Sequence, residues 1–252
     1  MVRIRCMMSV FAALSWTAAA FASAANGDAG AYHLKPGFAV PPEPPAIVRT
    51  HPAFTAAPPP LIRAIRHTQV PSDWPEGTQE VSKLQPRDGV VYEELDVAPR
   101  SGDFARHAIA GYRQRVMALG GMYTLFFETR SSSAPSGQLA FRRFHGEVVK
   151  IRDVQGTLFP LRVGNVLRVE NDWKSAGGTI SGTVEWKVVA VEDAARKVGG
   201  LPGNIYTVEE YLDGRHGVTY WYSDALQYRL DSYFVGEDRP QREEKTEVAA
   251  LH

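Results

Sequence analysis

Asp103 and His107 stand four residues apart, a spacing that on a helix sets a carboxylate and an imidazole on one face. Such a pair is half of a metal site or half of an acid–base site, and it needs a third group to do chemistry. None follows at a suitable spacing, so the pair reads as surface decoration. His145 follows Arg142 and Arg143, a basic cluster with no acid beside it. His216 lies in the turn-like run Asp213-Gly214-Arg215-His216-Gly217. Glu93-Glu94 and Glu209-Glu210 are adjacent carboxylates, but strand neighbours point to opposite faces, so neither pair converges on one substrate atom. Gly178-Thr179-Ile180-Ser181-Gly182 has a serine between glycines, misplaced for a nucleophile elbow, and reads as a hairpin turn. His-Glu-x-x-His, Gly-x-Ser-x-Gly and phosphate-cradling motifs are all missing. No catalytic residue, metal site or cofactor is assigned, and a non-enzyme is the expectation.

The cysteine count narrows the chemistry further. Cys6 is the only cysteine of the 252 residues, and it precedes an uncharged apolar run from Met7 to Phe21. With Arg3 and Arg5 ahead of that run and Ala22-Ser23-Ala24 behind it, residues 1–24 read as a secretory signal peptide cleaved after Ala24. The apolar run is shorter than the roughly 20 residues that span a bilayer as a helix, and no transmembrane span is expected. A lipid-bearing cysteine would have to follow the run, so Cys6 does not make a lipoprotein. The mature chain then has no thiol for a disulfide, a metal or a nucleophile. Basic and acidic residues balance at 28 each. A near-neutral chain has no field to draw it to nucleic acid, and no nucleic-acid partner is expected.

What the sequence does concentrate is aromatic surface. Tyr123, Phe126 and Phe127 come early, and Tyr220-Trp221-Tyr222, Tyr228, Tyr233 and Phe234 come late. Alternation puts Tyr220 and Tyr222 on one face and Trp221 on the other; Val184, Trp186 and Val188 share a face of their own strand. Packing is the plain role for such side chains, since aromatics bury much area. Their number also allows an apolar groove, and the ligand-binding candidates are Tyr123, Phe127, Trp186, Tyr220, Trp221 and Tyr222.

The elements that must position them are β-type. Strands are expected at Val91–Val97, Met122–Glu128, Gln138–Arg152 (with Gly146 as a bulge or turn), Asn165–Asn171, Thr183–Glu192, Asn204–Leu212, Val218–Ser223 and Gln227–Phe234. Short Gly-rich or polar gaps between them favour antiparallel hairpins. One helix is expected from Asp103 to about Leu119, on the recurrence of Phe104, Ala108, Tyr112 and Val116 and the stop at Gly120-Gly121. Eleven of the 17 prolines fall between Pro36 and Pro75, so residues 25–75 read as a disordered, Pro-rich spacer. The expected organisation is a signal peptide (1–24), that linker (25–75), a β-rich domain (76–236) and a charged, fraying tail (237–252). The fold class is mainly β: a curved antiparallel meander, half-barrel or clam-like, with one helix.

Gly203-Asn204-Ile205-Tyr206-Thr207-Val208, then Thr219-Tyr220-Trp221-Tyr222-Ser223 and a final strand from Gln227, carry a resemblance. Over roughly residues 160–235 the chain resembles an uncharacterised family of exported Gram-negative β-sheet proteins with a C-terminal Tyr-Trp-Tyr-Ser segment. Asp224 stands where that family usually has proline. The resemblance implies an envelope location and a curved sheet akin to that of periplasmic lipoprotein carriers, and it transfers no catalytic residue. The functional expectation is therefore a periplasmic or secreted, non-enzymatic protein that binds an apolar ligand or an envelope protein segment. The alternatives are a hydrolase whose site assembles only in three dimensions and a structural protein interacting through a sheet edge.

Overall fold

Pairs of residues with left-handed backbone mark where the chain doubles back. Asp88-Gly89 (φ 52° and 78°) and Asp213-Gly214 (φ 48° and 76°) are two-residue hairpin turns, and Asp-Gly suits the positive φ that such turns demand. They belong to a computed structural model that describes residues 40–68, 78–99, 110–132, 141–197, 201–234 and 245–247. The strands are β1 (Ala64–Thr68), β2 (Thr78–Arg87), β3 (Val90–Pro99), β4 (Ala110–Ala118), β5 (Tyr123–Ser132), β6 (Phe141–Gly156), β7 (Val166–Ser175), β8 (Gly178–Asp193), β9 (Asn204–Leu212), β10 (Arg215–Ser223), β11 (Tyr228–Phe234) and β12 (Lys245–Glu247). From β1 to β11 each strand pairs antiparallel with the next, and β12 joins the outer edge of β1, giving one twelve-stranded sheet. The expectation of a mainly β, curved antiparallel meander holds.

The curl has a local cause. Register shifts interrupt the ladders at Val116/Met117, Val148/Lys150, Ile151/Asp153, Val188/Ala190, His216/Val218 and Trp221/Tyr222. Each bulge bends its strand and adds twist, and the sheet curls into a half-barrel. The roll brings the β10–β11 end against β2–β4: Tyr228 packs with Ile62, Leu84, Val91 and Met117. Leu119-Gly120-Gly121, a short 3-10 turn between β4 and β5, completes that contact. A Cβ on Gly120 would lie 2.5 Å from the Tyr222 ring, and one on Gly121 would lie 2.6 Å from the Tyr228 ring. Gly121 also has φ 94°, which an L side chain rarely adopts. Gly121→Ala is expected to lower the midpoint of urea unfolding by the equivalent of about 2 kcal/mol or more, through backbone strain and displacement of Tyr228. An unchanged midpoint would show that the turn does not clasp β11.

Four expectations need correction. Residues 110–118 form a strand, not the end of a helix: a four-residue recurrence such as Tyr112 and Val116 fits one strand face as well as one helix face, and Val91–Met117 and Val116–Phe126 ladder pairs settle the choice. Asp103 and His107 lie outside the described residues. Second, part of the Pro-rich stretch is docked: α1 (Ala46–Thr50) and α2 (Pro52–Thr55) bury Val48 and Phe54 in the main core at 0% and 1% exposure. Pro52 is well placed at the first turn of a helix, where its missing N–H costs nothing, and Ala64–Thr68 of the same expected linker is β1, paired with β2 and β12 in the sheet. Third, residues 245–247 of the expected tail pair with β1. Fourth, Gly178–Gly182 lies within β8, with the turn one step earlier at Ala176-Gly177, and the β6 bulges fall at Val148–Asp153, not at Gly146. The signal peptide (1–24) and Trp74 lie outside the described residues. No helix among the described residues is long and apolar enough to cross a membrane.

Candidate functional site

Alternation along β8 aims Val184, Trp186 and Val188 at the core, and Trp186 is wholly buried. Its indole edge meets the Tyr123 ring from β5 at 5.0 Å between centroids, and Tyr123 in turn stacks on Phe54 of α2 at 6.1 Å. The Tyr123 hydroxyl accepts a 2.7 Å hydrogen bond from Asn171 Nδ2, and burial holds the phenol well above its ordinary pKa. On its other side Trp186 donates from Nε1 to Glu210 Oε2 (2.9 Å), and the Tyr220 hydroxyl donates to the same oxygen (3.0 Å). An aromatic file thus runs from Phe54 through Tyr123 and Trp186 to Tyr220, with one buried carboxyl set in it.

A second carboxyl lies beyond Tyr220. Arg229 of β11 sits over the Tyr220 ring at 5.9 Å and reaches Glu93 Oε1 of β3 at 4.0 Å. Arg115 of β4 binds Glu93 Oε2 through Nε and Nη2, and the Tyr228 hydroxyl donates to Oε1 at 3.4 Å. The two carboxyls are shifted in opposite directions because their partners differ. Burial alone would raise both. At Glu93 the charges of Arg115, Arg229 and Arg113 outweigh it and hold the pKa down to about 2. At Glu210 burial wins over the Tyr220 and Trp186 bonds and the Arg229 charge, and the pKa is pushed up to about 7.

That difference has a measurable consequence. Unfolded Glu210 loses its proton near its ordinary pKa of 4.5, whereas folded Glu210 keeps it until about 7. The folded state binds more protons in that window, so stability falls as pH rises from about 4.5 to 7, by about 3 kcal/mol in all. Glu210→Gln keeps an acceptor for Trp186 and Tyr220 but cannot ionise. It is expected to be more stable than the wild type at pH 8 and nearly equal at pH 4.5 in urea titrations. A constant difference at both pH values would contradict the assignment.

Of the six binding candidates, Tyr123, Trp186, Tyr220 and Tyr222 share the main core. Tyr222 meets Phe159 edge-on at 5.5 Å, and its buried hydroxyl has no hydrogen-bond partner among the described residues. Phe127 and Trp221 lie elsewhere. Phe127 is half-buried and stacks on Trp173 at 5.8 Å, where a Cβ on Gly146 would collide with both rings. Trp221 packs on a separate cluster of Ala194, Leu201, Ile205 and Leu230, beside α3 (Ala194–Lys197). The file's other members, Glu210, Glu93, Arg115, Arg229 and Phe54, are not on the list drawn from the sequence. Two carried a signal: Glu210 stands two residues after Val208 and Glu93 two after Val91, in phase with buried strand positions.

Two of the described histidines have aromatic partners of their own. His145 meets Phe126 edge-on at 5.4 Å, and His216 stacks on Tyr211 at 5.1 Å and bonds Thr219 at 3.0 Å. Among the described residues no three His, Cys, Asp or Glu side chains gather to hold a metal ion. Fold and site together define a rolled, single-sheet antiparallel β protein whose interior joins aromatic rings to two buried carboxyls. No family model, curated protein or solved structure matches the chain.

Proposed function

We propose that the chain is an exported, periplasmic or secreted, non-enzymatic binding protein that holds an apolar ligand or an apolar protein segment against its curled sheet. One observation carries this reading: the aromatic file of the interior is reached by Phe54, a ring supplied from outside the sheet. A surface that accepts one apolar side chain from a non-sheet segment has the chemistry to accept another, and apolar walls with a few fixed polar groups are the usual make-up of ligand sites. Glu210, Trp186 and Tyr220 supply such polar groups. The basic, apolar and small-residue pattern of residues 1–24, which reads as an export signal, supports the location. Intact-mass measurement of protein recovered from the periplasm is expected to give an amino terminus at Ala25. Native mass spectrometry of the same protein, purified without detergent, is expected to show a bound apolar species. Unmodified protein without any bound species, and without a thermal shift on adding apolar peptides or lipids, would overturn the reading.

A further inference from the structure

Residues 43–57 are attached to the sheet in an unusual way. Their backbone hydrogen bonds among the described residues stay inside the segment: Val48 N to Pro45 O, His51 N to Ile47 O, Phe54 N to His51 O, Ala56 N to Pro52 O and Ala57 N to Phe54 O. The polar side-chain contacts among the described residues do too. Thr50 Oγ1 donates to Ala46 O, His51 Nδ1 accepts from Ala53 N, Thr55 Oγ1 donates to His51 O, and Arg49 pairs with Glu43 at 3.7 Å. What reaches the sheet is apolar: Val48, Ala53 and Phe54, all within the main core. The first backbone bonds to the rest of the fold come only later, at Leu61 N to Leu226 O and Leu84 N to Arg63 O.

A segment that satisfies its own polar groups and docks through apolar side chains alone is built like a bound peptide, in the manner of an amphipathic helix laid in a groove. Helices of five and four residues are far below the length at which a helix stands unaided in water, so α1 and α2 owe their order to docking. Prolines flank them at Pro41-Pro42 and Pro44-Pro45 on one side and Pro58-Pro59-Pro60 on the other. We propose that residues 43–57 are a displaceable strap that fills this protein's own binding site, and that the partner is a protein segment of the same chemistry. Such a segment has two bulky apolar side chains spaced like Val48 and Phe54 on short, proline-flanked helical turns. This inference rests on the proposed binding function and names its ligand class and its regulation: the strap and the partner segment compete for one site, and a bound segment holds the strap off.

The test uses the full mature chain and a fluorescent synthetic peptide with the sequence of residues 43–62. The Phe54→Ala chain, its own strap weakened, is expected to bind the peptide at least ten-fold more tightly than the wild-type chain does. A peptide carrying the same Phe54→Ala change is expected not to bind. Equal or absent binding by both chains, with the variant folded, would overturn the proposal. Should that variant fail to fold, hydrogen exchange on the wild type gives an independent reading. Strap amides from Val48 to Ala57 are expected to exchange at least a hundred-fold faster than those of β7 to β9. Exchange of the strap only together with those strands would mean that it never leaves, and would overturn the proposal as well. If the strap proves fixed while an apolar ligand still binds, the displacement model falls and the binding function stands.

Discussion

Trp186→Ala is expected to lower the stability of the fold by about 3–5 kcal/mol, the range for deleting a fully buried aromatic. Two losses combine. The indole leaves a cavity between Tyr123 and Glu210, because the neighbouring strands are fixed by their ladders and collapse only in part. Glu210 also loses one of its two donors, in a place where water does not readily replace it. Trp221→Ala serves as the control, since Trp221 is half-buried against a smaller cluster. Its loss should be clearly smaller in parallel urea titrations, and equal midpoints for the two variants would contradict the placement of Trp186 at the centre of the interior.

Glu93→Gln is expected to cost a similar amount, about 3–5 kcal/mol, for a different reason. The substitution preserves shape but leaves Arg115 and Arg229, both largely buried, without the carboxylate that pairs with the two of them. The pH dependence separates this from a simple packing defect. Folded Glu93 titrates at about 2 and its unfolded form near 4.5, so its contribution is fully present above about 4.5 and is lost as pH falls towards 2. The wild type should therefore lose stability in that acid window, and the variant should lack this part of the loss. A variant as stable as the wild type at pH 6 would show that the arginines do not depend on Glu93.

Much of the fold was legible because strand signals are local. Val184, Trp186 and Val188 alternate, Asp213-Gly214 fixes a turn, and the two together place β8 to β10 without any tertiary information. The helix assigned across Tyr112 and Val116 failed because a spacing of four is a multiple of two as well as near 3.6. The strap was hidden by its composition. Proline argues against sheet and against long helices, but says nothing of two single-turn helices whose order comes from docking. The site was half legible. Aromatic positions followed from sequence, whereas the joining of Glu93 to Arg229 bridges seven intervening strands of a rolled sheet and depends on bulges that no local pattern announces. Glu210 and Glu93 were visible only as polar residues in phase with apolar neighbours.

The aromatic interior as a binding site is tested most directly by contact quenching of tryptophan fluorescence. The mature protein is titrated with a brominated apolar peptide, and separately with a brominated fatty acid, beside Trp186→Phe and Trp221→Phe variants. A ligand that enters the file beside Tyr123 should give saturable quenching that largely disappears in Trp186→Phe and persists in Trp221→Phe. Quenching that fails to saturate with either ligand, or that survives the loss of Trp186 undiminished, would contradict the account.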